Sequence, residues 1–316
     1  MQNIAVVGVG ALGMRHLQSL LKLKEKYVLY GVEPNDEAVV RIEKEFGTDV
    51  KMCGNVEDLP SDLLVCIIAT TASVRRNVFE RLVNHSKVRY ILFEKVLFQR
   101  KEDYEYVQTR LNELGITAWV NCARREWLSY IWLKNLLKDD VEFSISITGG
   151  HWGFCCNGIH FIDLVQYLSD EKSLNICHAI FEDKIEASKR DGYYELFGSI
   201  AGTCGKCKYF QITCLDKSEA PLTITIEGSQ IRIIVDESKQ KVYASSKSSD
   251  WNWIEHPFNI SYQSELTSVV VNKILSGDCV LPLYEEAMSE HIKFLDSVQE
   301  AFINNGWEER DICPIT

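Results

Sequence analysis

Three groups of residues in this chain have types and spacings suited to chemistry. The first is Gly8-Val9-Gly10-Ala11-Leu12-Gly13, entered by the apolar run Ile4–Val7 and followed by an amphipathic stretch. G-x-G-x-x-G between a strand and a helix fits a dinucleotide. Gly8 permits a tight turn, Gly10 lets backbone N–H groups approach a pyrophosphate, and Gly13 lets helix and strand pack closely. The helix start at Ala11 and Leu12 then turns its positive dipole end toward the phosphates. Glu33 closes the next apolar run, Tyr27–Val32, twenty residues past Gly13, where a carboxylate accepts from both ribose hydroxyls. It also repels a 2′-phosphate, and the following Pro34, Asn35, Asp36 and Glu37 supply no cation. NAD(H) is therefore expected in preference to NADP(H). Thr70, just after the apolar run that ends at Ala69, falls where cofactor-contacting backbone is expected.

The second group is Phe93-Glu94-Lys95, at the end of another apolar run. Ligands of open α/β sheets sit at the carboxyl ends of strands, so Glu94 is expected beside the cofactor and Lys95 where a substrate meets the nicotinamide. The plainer reading is a solvated Glu-Lys pair. The third group is the glycine-rich, aromatic stretch Gly149–Gly153 that leads into Phe154–Asp163. His160 and Asp163 lie one helical turn apart there and are expected to share a face. The plainer readings are a satisfied buried histidine and an ordinary helix aspartate. Arg124-Arg125 suits a phosphate or carboxylate, and Trp152 suits stacking on a ring. Cys204-Gly205-Lys206-Cys207 lacks the second ligand pair a zinc site needs, so it reads as a turn between strands and no metal is expected.

The elements that must position these groups change character along the chain. Strands are expected at Asn3–Val7, Tyr27–Val32, Leu63–Ile68, Tyr90–Phe93 and Thr117–Val120, alternating with helices at Leu12–Lys24, Asp36–Phe46, Ala72–Val83 and Lys101–Leu114. Continuous apolar strands alternating with helices predict a doubly wound parallel α/β sheet of the Rossmann type over residues 1–121. Residues 122–316 read as a second, α+β domain. Helical stretches near Glu126–Leu137 and Asn157–Leu168 precede strands with alternating apolar positions, at Glu142–Ile147, Leu222–Ile226 and Ile231–Ile233. Turns fall at Gly228-Ser229 and Asp236–Gln240, and long helices follow at Gln263–Ser276 and Tyr284–Asn304. The expected second sheet is antiparallel with one open face.

Composition bounds the partners. The chain has 316 residues, 46% hydrophobic and 25% charged, enough for two domains with real cores. A net charge of −11 disfavours nucleic acid and anionic membranes. An expected strand from Asn3 leaves no room for a signal peptide, and no apolar run approaches the length of a membrane span. The 11 scattered cysteines read as reduced thiols, used as small core residues in a cytoplasmic protein.

The ordered set resembles the glucose–fructose oxidoreductase / inositol dehydrogenase (Gfo/Idh/MocA) family. It consists of G-x-G-x-x-G followed by Arg15-His16, the Glu94-Lys95 step, Asn121 through Arg125, and Gly158-x-His160-x-x-Asp163. The resemblance implies a two-domain NAD(P)-dependent oxidoreductase acting on a cyclic polyol, a sugar or a sugar derivative, nucleotide-linked ones included. It implies that Lys95 orients the reacting hydroxyl, that His160 is the general acid/base, and that substrate lies between them. Arg124, Trp152, Cys156, Asn157 and Asp163 would be substrate contacts. A homodimer or homotetramer, formed through the open sheet face, is implied as well. Two positions depart from the family pattern. Val96 stands where Glu-Lys-Pro has proline, which relaxes the backbone but keeps the amine. Cys156 stands where the family often has aspartate, four residues before the histidine. The second departure keeps two alternatives open: a non-catalytic NAD(H)-binding sensor or regulator of the same fold, and a reductase of a non-sugar carbonyl or imine such as a linear tetrapyrrole.

Overall fold

Apolar strands covered on both faces build the first part of the chain into a six-stranded parallel sheet. Its strands are β1 (Gln2–Val7), β2 (Tyr27–Val32), β3 (Val50–Cys53), β4 (Asp62–Ile68), β5 (Lys87–Phe93) and β6 (Thr117–Val120). The computed structural model describes all 316 residues, and the strand order is β3-β2-β1-β4-β5-β6. The helices between strands are α1 (Ala11–Leu20), α2 (Asp36–Phe46), α3 (Ala72–His85) and α4 (Lys101–Leu114). Ile4 to Val7 and Val65 to Ile68 are at most 2% exposed. Burying each of these larger aliphatic side chains contributes about 1.5–3 kcal/mol, which fixes β1 and β4 as the sheet's centre. The order reverses between β1 and β4, where Val7 pairs with Val32 on one side and Ile68 on the other. Strand ends on both sides of this switch point are where a doubly wound sheet holds its ligand. The short edge strand β3 is an addition to the sequence expectation.

The second unit begins with α5 (Leu128–Leu136), β7 (Phe143–Gly150) and α6 (Phe154–Ser169). Strands follow: β8 (Leu174–Phe181), β9 (Glu186–Ala187), β10 (Tyr194–Glu195), β11 (Gly198–Cys204), β12 (Cys207–Leu215), β13 (Thr223–Gly228), β14 (Ile231–Asp236), β15 (Lys241–Ser246) and β16 (Ile254–Pro257). Eight of these form one sheet in the order β16-β15-β14-β13-β7-β12-β11-β8, while β9 and β10 pair separately. The sheet is mixed rather than purely antiparallel, because β7 and β12 run parallel. The crossover through α6 and the outer strands brings the chain back beside β7 in the same direction. Burial alternates along β7, so one face is covered and the other is open to solvent. Cys204 and Cys207 pair across the tight turn that joins β11 to β12, as their spacing suggested.

The two compact units do not follow sequence order throughout. Met1–Glu126, Ser261–Ala287 and Thr316 form the first, and Trp127–Ile260 with Met288–Ile315 form the second. The helix α7 (Gln263–Ser276) therefore belongs to the parallel-sheet unit, where it packs on α1. Small hydroxyl residues allow this close approach: Ser19 Oγ donates to Ser268 Oγ at 3.1 Å and accepts from the Ser268 N–H at 2.9 Å. The last helix is α8 (Tyr284–Asn304). No helix is long and apolar enough to cross a membrane.

Candidate functional site

The glycine turn of the first unit is shaped by close backbone packing with one opening. Gly8 has φ +88°, and its N–H donates to Val32 O at 2.9 Å. A Cβ on Gly8 would lie 2.8 Å from the Thr70 backbone nitrogen, and one on Gly13 would lie 2.2 Å from Gly8 O. Neither position accepts a side chain unless the backbone moves. Gly10 differs, since a Cβ there would meet nothing within 4 Å. Gly10 is also the N-cap of α1, which has no side-chain cap and no acid in its first turn. Ala11 and Leu12 thus begin a helix whose first N–H groups face open space, the arrangement that binds pyrophosphate oxygens.

Two further residues fit a dinucleotide there. Glu33 follows β2, with its backbone N–H on Cys53 O at 3.1 Å and its Oε1 accepting from the Asn35 N–H at 3.2 Å. It is half-buried, which leaves part of the carboxylate for ribose hydroxyls. Thr70 follows β4 against the glycine turn, and its Oγ1 is buried without a hydrogen-bond partner. An orphaned hydroxyl at a strand end suits a polar ligand atom.

Lys95 is the only residue from Ile91 to Phe98 that is not buried. Its neighbours hold it from both sides. On one side the guanidinium of Arg75, 1% exposed on α3, donates to Thr70 O, to Val96 O and, at 2.8 Å, to Leu97 O. The Lys95–Val96 peptide is cis. On the other side Glu94, expected at the cofactor, instead turns inward as a buried hub. Its Oε1 lies 3.0 Å from His16 Nε2 and accepts from Asn121 Nδ2 at 2.5 Å. The network continues into α7. His16 Nδ1 lies 2.9 Å from Thr267 Oγ1, and Gln263 bonds to both Asn121 and Thr267. Burial pushes the Glu94 carboxyl up, but His16, Asn121 and the charge of Lys95 together hold it below its ordinary value.

Arg124 and Arg125 sit in a 3₁₀ turn just after Asn121. Arg125 is buried and donates to Glu286 Oε1 at 2.7 Å, so its charge is satisfied within the unit. Arg124 is half-buried.

In the second unit the candidate residues lie on or beside α6. From Phe154 to Ser169 only Cys156, Asn157 and His160 escape burial, and they form one stripe along the helix. Asp163, one turn after His160 on the same side of the helix, is wholly buried, while His160 is half-buried. Trp152, expected as a stacking platform, donates through Nε1 to Thr213 O at 2.9 Å and packs against the rings of Phe154 and Phe161. Asn157 Nδ2 donates to Trp152 O at 2.8 Å.

Sequence reasoning missed Glu195. Its Oε2 accepts from the Cys155 N–H at 2.6 Å and its Oε1 from the Cys156 N–H at 3.3 Å. A lone acid inside the apolar run Tyr193–Phe197 was the available signal. Burial and the Glu195 charge raise the Cys155 thiol well above its ordinary range, which makes it inert.

Comparison with known proteins covers the whole chain for the fold and part of it for the family. Residues 2–122 match the GFO_IDH_MocA model, described as an oxidoreductase family with an NAD-binding Rossmann fold. No curated protein matches. Among solved structures, a super-repressor mutant of Gal80p from Saccharomyces cerevisiae is 14% identical with a TM-score of 0.76, covering 96% of each chain. The UDP-N-acetylglucosamine 3-dehydrogenase GnnA from Acidithiobacillus ferrooxidans is 13% identical with a TM-score of 0.71, covering 97% of this chain and 98% of its own. The WlbA dehydrogenase from Bordetella pertussis, in complex with NADH and UDP-GlcNAcA, is 14% identical with a TM-score of 0.71, covering 95% of this chain and 96% of its own. At these identities the likeness is one of fold.

Proposed function

We propose, on the premise that residues 2–122 belong to the GFO_IDH_MocA oxidoreductase family, that this chain is an NAD-dependent dehydrogenase or reductase of a sugar, a sugar derivative or a cyclitol. The observation that carries the reading is the open Gly10 between the close-packed Gly8 and Gly13, at an uncapped helix start. Gly8, Gly10, Ala11, Leu12 and Gly13 would hold the pyrophosphate, Glu33 the adenosine ribose, and Thr70 a polar atom further along. Glu33 supports NAD over NADP, because its carboxylate repels a 2′-phosphate. The nicotinamide, when bound, supplies the hydride acceptor or donor.

Lys95 and His160 are the proposed proton-handling residues. The Lys95 ammonium would stabilise negative charge developing on the substrate oxygen. The His160 imidazole would take the alcohol proton on oxidation and return it on reduction, a role for which an imidazole is chemically suited. Cys156, Asn157 and Arg124 are proposed substrate contacts. The Trp152 carbonyl supports the stripe by accepting from Asn157 Nδ2. Eleven free thiols are consistent with a reducing compartment such as the cytoplasm.

The test is Lys95→Ala. NADH binding, read by fluorescence titration, is expected to survive while turnover across a panel of sugars and cyclitols is lost. Near-normal turnover in the variant removes the role of Lys95. A second reading, a cofactor-binding regulator, is favoured by the thiol at Cys156 and by the Gal80p repressor among the structural neighbours. NADH binding without turnover across the whole panel selects it.

A further inference from the structure

The core-facing stripe of α3 contains one residue foreign to a core. Its buried positions are Ala72, Arg75, Phe79 and Leu82, spaced as one face of a helix. Arg75 is 1% exposed and lies in the first turn, which carries no acidic residue. A cation there opposes the positive end of the helix dipole, and taking it out of water costs free energy that an apolar side chain would not. Neither the helix nor the core around it accounts for a guanidinium at this position.

What the guanidinium holds is backbone at the carboxyl ends of two neighbouring strands. The β4–β5 ladder ends at Ile68 and Phe93, and one bond follows it, from the Glu94 N–H to Ile68 O at 3.0 Å. Thr70 and Lys95 lie equally far past that last pair, where the ladder no longer joins the strands. Arg75 spans this gap. Its Nη2 donates to Thr70 O, and its Nη1 donates to Val96 O and, at 2.8 Å, to Leu97 O. Each end is anchored in turn. The Thr70 nitrogen packs on the glycine turn, where a Cβ on Gly8 would lie 2.8 Å from it. Phe98 donates through its N–H to the Tyr104 hydroxyl at 3.1 Å, and its carbonyl accepts from that hydroxyl at 2.8 Å. The planar fork of a guanidinium can serve several carbonyls at fixed angles, which a single ammonium cannot.

We propose that Arg75 is a positioning residue: it sets the backbone at Lys95 against Thr70, so that the amine stands at the nicotinamide with the substrate oxygen in reach. The inference rests on the roles proposed above for Lys95 and Thr70. Arg75 acts through the carbonyls it holds, not by contact with the reacting atoms. Without it the three carbonyls lose this donor, and the segments after β4 and β5 are free to part. Hydride transfer needs aligned reactants, and a misplacement of about 1 Å costs about a hundredfold in rate. One side chain outside the glycine turn thus couples the cofactor side of the site to the amine.

Two measurements on the full chain test this with Arg75→Met, which keeps a side chain of similar length and removes the donors. Arg75→Lys, which keeps a cation without the fork, serves if the methionine variant does not fold. In the first, kcat with a sugar or cyclitol substrate is expected to fall by about tenfold to a hundredfold, while the NADH dissociation constant changes by less than about threefold. A kcat within about twofold of wild type in the folded variant overturns the proposal. In the second, lysines are dimethylated with isotope-labelled methyl groups, and the Lys95 resonance is assigned by its absence from Lys95→Ala. NADH is expected to shift that resonance saturably in wild type and to leave it unmoved in Arg75→Met, although NADH still binds. A shift that survives in the folded variant overturns the proposal, and no shift in wild type removes the role of Lys95 and the proposal with it. A merely structural arginine would lower the unfolding midpoint and move neither readout. If no sugar is turned over although NADH binds, the sugar reading itself fails, and the Lys95 resonance still decides the role of Arg75.

Discussion

Glu94→Gln is the perturbation that most directly probes how the first unit holds Lys95. It keeps the side-chain size and removes one charge from a pair in which Glu94 is 3% exposed and His16 is 0% exposed, 3.0 Å apart. Leaving a buried polar group without its partner costs about 1–3 kcal/mol, more where the lost partner is charged. Glutamine can still accept from Asn121 but gives His16 no carboxylate, so the upper end, about 3 kcal/mol, is expected. At about 2–4 °C per kcal/mol for a domain of this size, the midpoint of thermal unfolding should fall by about 6–12 °C. The loss should also depend on pH with a defined sign. Glu94 is held below its ordinary carboxyl value in the folded chain, chiefly by His16 against the opposing effect of burial. Its charge therefore contributes stability above the unfolded-state pKa of about 4.3, and that contribution disappears as pH falls through the lower folded-state value. Urea unfolding of wild type and variant at pH 7 and at stepped acidic pH reads both effects. The gap should be largest at pH 7 and should close on acidification below about pH 4. A variant within about 0.5 kcal/mol of wild type at pH 7 would refute the reasoning, since that is the range of ordinary surface changes. A gap that ignores pH would show that hydrogen bonding, not charge, holds the hub.

Four further outcomes are expected. Gly10→Val should leave thermal stability nearly unchanged, because nothing lies within 4 Å of its Cβ, yet weaken NADH binding by about tenfold or more. Gly13→Val should lose both stability and binding, since its Cβ would meet Gly8 O at 2.2 Å; equal behaviour of the two variants in calorimetric titration would contradict the proposed opening. Wild type should bind NADH about tenfold or more tightly than NADPH, and Glu33→Gln should narrow that ratio; NADPH bound as tightly by wild type would remove the role of Glu33. Sedimentation velocity should show a homodimer or homotetramer joined through the open face of the second sheet, and a stable monomer at micromolar concentration would count against it.

Much of the fold was legible because local chemistry marks it. The ends of α2, α4 and α7 coincide with the sequence expectation, and each carries a readable boundary. Asn35 caps α2 by accepting from the Ala38 N–H, and Gly115 and Gly277 close α4 and α7 in left-handed conformations. The missed strands lack such marks. β3 is four residues long with an exposed Lys51, and β8 leaves most of its residues exposed, so neither shows a clean apolar pattern. Sequence order also could not assign α7 to a unit. Its partner is the face of α1 formed by His16 and Ser19, residues whose types do not announce a helix–helix contact.

The candidate site divides along the same line. The glycine turn and Glu33 are features of backbone and local spacing, and a short window contains them. Glu94 and Glu195 act on partners far away in the chain, His16 and Asn121 for one and the start of α6 for the other, so spacing carried no hint of either role. This changes the meaning of Val96. Read locally, replacing proline after Lys95 relaxes the backbone. In the folded chain Arg75 donates to the carbonyls of Val96 and Leu97, while the Glu94 side chain is fixed by two donors. The backbone on either side of Lys95 is thus fixed, by a buried guanidinium clamp after it and a buried carboxylate hub before it. Constraint that a ring would impose through one residue is imposed here by groups from α1, α3 and the segment after β6. The proposed chemistry therefore depends on long-range hydrogen bonds as much as on the motif that first suggested it.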